Sequence, residues 1–368
     1  GKSVYLDGYN VSVSGDVTLT AGSFNANGYN ISCAGNWINN GGTFTGGTGV
    51  LTFTGNGKQI LGSAANTFTN VTLDGGANYT INPSYASVPC MTINGNLIVN
   101  SNAILTIATS KAISLAGATN TISGTLNAVD LFDGTRDIGF NNPGGTLNCL
   151  GNLNADIQIS SGTTTLGTNV TVNGDFFANT GTLALSSFAL TCNGNFTNNG
   201  TIAPGTGTVN FNGSGKTING SAATTLNIVN FNSGASYTFN PSYATAPQLT
   251  VNGDFTLNTN ALLTITNPKK INLAGASNVF NGELVATAFF NEDYDIDFTN
   301  TAGSFSGASI PNADFRISAG AGTTSLGSSP YTLNGDLIIN SGSFTMGAQT
   351  FTLYGNWINN NVFVRGTG

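Results

Sequence analysis

The chain has no histidine, only four cysteines and two tryptophans, and just 7% of its 368 residues are charged. Nine lysines and arginines face sixteen aspartates and glutamates, for a net charge of −7. Each shortage excludes something. Without histidine there is no imidazole for general acid–base chemistry or for a metal. With so few cations the chain cannot neutralise a run of phosphates, so nucleic acid is excluded as a partner. No apolar run approaches the roughly 18 residues of a membrane-spanning helix. Disorder is also excluded, because 39% hydrophobic and 10% aromatic residues suffice to bury a core. The chain opens at Gly1 with no initiator methionine or signal peptide and closes on Arg365-Gly-Thr-Gly368, as a mature product or a piece of something longer would.

What the chain does have is glycine, 50 residues of it, and a short repeat. Val11-Ser-Val13, Ile31-Ser-Cys33, Leu51-Thr-Phe53, Val71-Thr-Leu73 and Met91-Thr-Ile93 recur at a spacing of 20. Each is followed by glycine, at Gly15, Gly35, Gly55, Gly75 and Gly95, and the unit returns with Gly174, Gly194 and Gly253. Apolar–polar–apolar alternation is a strand signal. The glycines are expected to supply turns with positive φ, and the residue after them is often Asn or Asp, which favours turns. A unit of 20 residues cannot bury its apolar side alone, but stacked copies can. Gly, Asn, Thr and Ser every few residues oppose helix.

A longer repeat encloses the short one. Cys33-Ala-Gly-Asn-Trp37 returns as Cys192-Asn-Gly-Asn-Phe196 and as Leu353-Tyr-Gly-Asn-Trp357. Asn82-Pro-Ser-Tyr-Ala86 returns as Asn240-Pro-Ser-Tyr-Ala244, and Ala155-Asp-Ile-Gln-Ile-Ser160 as Ala313-Asp-Phe-Arg-Ile-Ser318. These shifts place the long repeats at approximately 1–160, 161–320 and, in part, 321–368. The short motif blurs between Ile113 and Val170 and again between Ile271 and Tyr331, where long coils with protruding loops are expected. The expected fold is all-β: one continuous right-handed parallel β-helix, a β-solenoid over 1–368, with about 20 residues per coil and roughly 16–18 coils. Right-handedness follows from the general preference of parallel crossovers. Trp37 and Trp357 and the motif glycines are its structural residues.

The block from Gly35-Asn-Trp-Ile-Asn-Asn-Gly-Gly-Thr-Phe44 through Leu51-Thr-Phe-Thr-Gly55, with its second copy Gly194-Asn-Phe-Thr-Asn-Asn-Gly-Thr201, resembles the repeats of large secreted bacterial surface proteins. Such blocks are similar to those of filamentous-hemagglutinin-like β-helix adhesins. The resemblance implies a β-helix and an extracellular or cell-surface setting, and it transfers no binding or catalytic residue.

Candidate sites are few. Gly213-Ser-Gly-Lys-Thr217 imitates a phosphate-binding loop, but Asn210 stands where the first glycine of that pattern must be, and no helix follows. Cys33, Cys90, Cys149 and Cys192 lie too many coils apart for a disulfide and read as small core residues. The acids cluster: Glu283, Glu292, Asp293, Asp295 and Asp297 in one stretch, and Asp130, Asp133 and Asp137, with Arg136, in the aligned one. Carboxylates so placed form a solvated loop, a weak site for a divalent cation such as calcium at Glu292, Asp293, Asp295 and Asp297, or a glycosidase pair. Tyr79, Tyr85, Tyr237 and Tyr243 flank the Asn-Pro-Ser-Tyr loops and either pack over the coil or stack on sugar. Ser12, Ser32, Thr52, Thr72 and Thr92 form an outward ladder, which suggests ice binding only if flat and wide.

The functional expectation is a non-catalytic structural rod outside a bacterial cell, part of an adhesin, stalk or filament, with no cofactor. Its partners would be further copies of the repeat or identical chains end to end, with surface polysaccharide as a ligand. A β-helix polysaccharide lyase or hydrolase, or an ice- or polysaccharide-binding surface, are the alternatives.

Overall fold

The computed structural model describes residues 2–327 and 330–367, and among these there is strand and turn but no helix. The chain divides into two compact units, Gly1–Ala184 and Leu185–Gly368. Both are parallel β-solenoids, and together they make about 17 turns of roughly 21 residues.

In the first unit each turn carries three short strands, and each strand pairs in parallel with the strand three further along. Ser3–Tyr5, Val11–Val13 and Val17–Leu19 sit under Ser23–Asn25, Ile31–Cys33 and Trp37–Asn39. Alternation sets the faces: Ile31 and Cys33 are buried while Ser32 between them is not. The same inward pairs run up the unit through Leu51 and Phe53, Val71 and Leu73, and Leu97 and Val99. Burying each such side chain contributes about 1.5–3 kcal/mol.

Coil length follows a fixed series. On the face that starts at Val11, the register steps from Val11 to Ile31, to Leu51 and to Val71. It then steps from Val71 to Leu97, from Ile98 to Thr121 and from Asn120 to Leu147, which are steps of 26, 23 and 27 residues. In the second unit Val229 pairs with Phe255, Phe255 with Asn278 and Asn278 with Phe305, again 26, 23 and 27. The long repeat is therefore a repeated order of coil lengths, and the extra residues of the 27-residue coils are the protruding loops expected from the blurred motif.

This series corrects the 20-residue ladder. Ser12, Ser32, Thr52 and Thr72 are in register, but the next residue of the column is Ile98. Thr92 belongs to another face, between Thr67 and Ser114. In the second unit Thr191, Asn210 and Asn230 continue to Thr256, and Thr250 and Asn272 lie on a different face.

The role of the motif glycines is also corrected. Gly15, Gly35, Gly55, Gly75, Gly95, Gly174 and Gly253 all lack positive φ. What most of them avoid is a side chain. A Cβ on Gly35 would lie within 3.0 Å of the Gly15 carbonyl one coil below, and one on Gly55 would strike the Ala34 carbonyl. Gly117 over Gly95, Gly275 over Gly253 and Gly355 over Gly335 repeat the conflict. The coils pass so closely here that backbone packs on backbone. Positive φ is found instead at turn residues such as Asn27, Gly28 and Gly76.

Aromatic residues fill the interior. Trp37 packs on Phe44, Phe53 and Phe68, with ring centroids 5.0 to 6.3 Å apart. A buried indole N–H needs an acceptor, and the Trp37 Nε1–H donates to Asn66 Oδ1 at 3.1 Å. In the second unit the corresponding residues are Phe196 and Thr224, so the donor and its acceptor disappear together. Trp357 is 39% exposed and stacks edge-on against Phe363 at 4.7 Å.

Two alanine substitutions separate close packing from turn conformation. Gly35→Ala is expected to lower stability by about 1–3 kcal/mol through overpacking. Gly75→Ala occupies the same motif position, but its Cβ would meet only the Ser101 carbonyl at 3.3 Å, so it should change stability by less than about 0.5 kcal/mol. Urea titrations of both variants check this, and equal costs would contradict the close-packing account.

Candidate functional site

The protruding loops are 129–137 in the first unit and 287–295 in the second. Each leaves the coil after a strand, Thr125–Ala128 or Glu283–Ala286, and rejoins it at Ile138–Phe140 or Ile296–Phe298. Each holds an exposed phenylalanine in the left-handed region: Phe132 with φ 65 and Phe290 with φ 62. Such a conformation persists only where neighbours impose it.

Buried aspartates impose it. Asp137, Asp156 and Asp175 precede Ile138, Ile157 and Phe176, which are in register, so the three acids stack on successive coils. Asp137 Oδ2 accepts the Asp156 N–H at 2.7 Å, and Asp156 Oδ1 accepts the Asp175 N–H. The other Asp156 oxygen accepts the Phe132 N–H at 2.9 Å. In the second unit Asp295, Asp314 and Asp336 form the same stack, with the Asp314 N–H on Asp295 at 2.9 Å and the Asp336 N–H on Asp314 at 2.6 Å. Asp314 also accepts the Phe290 N–H at 3.0 Å, and Asp336 accepts the Glu292 N–H at 3.2 Å. Asp156, Asp314 and Asp336 thus each tie the coil above to the loop beside them. All six side chains are buried.

Burial raises these acids against the hydrogen bonds that favour their charged forms. Desolvation, helped by the Asp156, Asp133 and Asp130 charges, pushes Asp137 up to about 7. Asp156 rises to about 6, with Asp175 and Asp133 adding to the effect of burial. Asp295 rises to about 7 through burial and the Asp314 and Asp293 charges, partly offset by Lys270, and burial with Asp336 raises Asp314.

The charged side chains beside the stacks differ between the units. In the second unit Lys270 pairs with Asp293 at 2.7 Å and Arg316 with Asp297 at 2.6 Å. The Tyr294 ring lies between the two cations, 3.4 Å from the Arg316 guanidinium carbon and 4.9 Å from Lys270 Nζ. In the first unit the corresponding positions are Ala112, Thr135, Gln158, Gly139 and Arg136. There Arg136 donates to Gln158 Oε1 and, at 3.4 Å, to Ser160 Oγ.

The residues singled out from the sequence are dispersed by this arrangement. Of the four weak cation candidates, Asp293 and Asp297 are in ion pairs, Asp295 is in the buried stack, and Glu292 is exposed with its backbone N–H on Asp336. Among the described residues no group of three or more Cys, Asp or Glu side chains is placed to hold a metal ion. Tyr79 and Tyr237 are interior rather than sugar-facing. The Tyr79 hydroxyl proton is shared between the Cys33 and Gly35 carbonyls at 2.9 and 2.8 Å, and burial pushes that hydroxyl up to about 12. Tyr237 repeats the clasp on Cys192 and Gly194. Tyr85 and Tyr243 are half-buried. In the loop Gly213–Thr217 the Gly213 N–H donates to the Tyr237 hydroxyl and the Thr217 N–H to Asn195, so these amides do not cradle a phosphate. All four cysteines are buried free thiols. The aspartate stacks escaped the sequence reading. Their signal was the spacing of 19 from Asp137 to Asp156 to Asp175 and from Asp295 to Asp314. No protein-family model, curated protein or solved structure matches the chain.

The stacks predict a pH dependence. A carboxyl raised on folding adds stability that is complete below its unfolded value and lost as pH rises through its folded value. With folded values of about 6 to 7 at Asp137, Asp156 and Asp295, the melting temperature should fall between about pH 4 and pH 8. Asp137→Asn and Asp295→Asn keep an acceptor oxygen without the charge. Each should recover on the order of 1 kcal/mol at pH 8 and flatten the profile. Calorimetric scans across that range check it, and a flat wild-type profile would contradict it.

Proposed function

We propose that this chain is a structural, non-catalytic segment of a bacterial surface adhesin, stalk or filament that works outside the cell. One observation carries the reading. The two units repeat the core and the 26, 23, 27 order of coil lengths, yet Arg136, Gln158 and Gly139 give way to Tyr294, Arg316 and Asp297. What is duplicated is scaffold. A catalytic constellation needs one set of groups in one geometry, and duplication of the scaffold with altered charged groups does not serve it. The low charge and the Asn, Thr and Ser surface suit a long-lived extracellular element.

The enzyme reading is weaker because a glycosidase needs two carboxyl groups open to substrate on either side of a bond. The aspartates that stack here face backbone amides instead. An ice-binding surface is weaker because Ile98 interrupts the Ser and Thr column. The partners we propose are further copies of the repeat or identical chains joined end to end, since a coil edge of unpaired N–H and C=O groups adds another coil readily, with surface polysaccharide as a ligand.

Immunogold labelling of intact source cells, with antibody raised against this chain, tests the proposal. Label on the outer surface or on appendages is expected. Label confined to the cell interior would overturn it.

A further inference from the structure

The two units differ most where the charged groups lie, and that difference shows what the first unit lacks. In the second unit Lys270 pairs with Asp293 and Arg316 with Asp297. Register makes Ile113, Ile138 and Ile157 the counterparts of Ile271, Ile296 and Phe315. The carboxylates of Asp293 and Asp297 therefore have Thr135 and Gly139 as counterparts, and the first unit supplies no acid at either place.

It nevertheless has cations there. Arg136 lies across Gly139, with Nε 3.4 Å from where a Cβ on that glycine would be. Among the described residues its guanidinium bonds two neutral partners, Gln158 and Ser160. Lys111 reaches in from the neighbouring turn, its ammonium donating to the Tyr85 carbonyl at 3.0 Å. Among the described residues neither cation has a carboxylate partner. Between them opens a cavity of about 320 Å³, walled by Lys111, Arg136, Ser110, Thr135, Gln158 and the half-exposed Val88. Asp133 also reaches the rim, but its carboxylate is held by the Thr135 N–H and hydroxyl, both at 2.7 Å.

We propose that this cavity binds an acidic sugar, a hydroxyl-rich ring that carries a carboxylate. The ligand carboxylate takes the place that Asp293 and Asp297 occupy in the second unit and bonds to Arg136 and Lys111, as charge-assisted pairs favour. Ser110, Thr135 and Gln158 exchange hydrogen bonds with ring hydroxyls, Asp133 accepts one more, and Val88 covers the C–H face of the ring. In the second unit Asp293 and Tyr294 stand at the positions of Thr135 and Arg136. The inference is independent of where the chain works.

Calorimetric titration of the full chain with galacturonate, with its trimer and with the methyl ester of the trimer tests it. One site per chain is expected, with the acid bound at least about tenfold more tightly than the ester and more weakly at high salt. A tighter trimer identifies a polysaccharide unit as the source, and equal affinities identify the free sugar acid. Arg136→Gln should weaken binding about tenfold or more without changing the circular dichroism spectrum. Ester and acid binding alike, Arg136→Gln binding as well as wild type, or no binding of the trimer at about 10 mM would each overturn the proposal.

Discussion

Everything in both units depends on one spacing. Parallel strands one coil apart are separated by about 4.8 Å, so every residue sits over its counterpart in the coil below. Inward positions then need side chains that stack on themselves, and they hold Leu, Ile, Val and Phe. Where the backbone turns inward over another backbone, no side chain fits at all, and glycine is required at Gly35, Gly55 and Gly117. Polar side chains obey the same geometry. Asp16 accepts the Asn36 N–H at 2.7 Å, Asn30 accepts the Val50 N–H at 2.9 Å, and Asn70 accepts the Asn96 N–H at 3.0 Å. An Asn or Asp side chain at a turn does what a strand carbonyl does elsewhere: it satisfies the amide one coil away.

The aspartate stacks push this device into the interior, where it conflicts with electrostatics. Like charges one coil apart raise one another, and burial raises them further. The stacks persist because each carboxylate also accepts backbone N–H groups that would otherwise be left unpaired, a larger loss than a partly neutralised acid. The consequence is local. The loops at 129–137 and 287–295 are fastened from within, so their exposed phenylalanines and charged neighbours keep fixed positions on an otherwise uniform surface. In the first unit the fastened loop of the long coil also walls a cavity of about 320 Å³, through Asp133, Thr135 and Arg136.

Much of this could be read from the residues. The Val11-Ser-Val13 unit and its spacing of 20 indicate stacked strands, and the Cys33-Ala-Gly-Asn-Trp37 copies reveal the long repeat. Three things were out of reach for physical reasons. A spacing of 20 persists numerically from Val71 to Met91, although the coil there is 26 residues long, because motif units occupy more than one face and look alike on each. Glycine serves positive φ and close approach equally well, and only the neighbouring coil distinguishes Gly35 from Gly76. The acids at 130–137 and 292–297 read as a solvated cluster because sequence proximity hides the partners that matter. Asp156 and Asp314, a coil away, bind the loops, and Lys270 and Arg316 bind the acids.

The central claim is that the coil is the unit of stability and that register is its only requirement. Deleting residues 31–50, one complete step in register from Ile31 to Leu51, tests this most directly, with deletion of residues 31–40 as the comparison. The shortened chain without the whole coil should keep its parallel-strand circular dichroism and unfold cooperatively, because Val11 then meets Leu51 in the place of Ile31. Loss of half a coil turns inward residues outward and should abolish the fold of the first unit. Equal tolerance of both deletions, or collapse of both, would contradict the account.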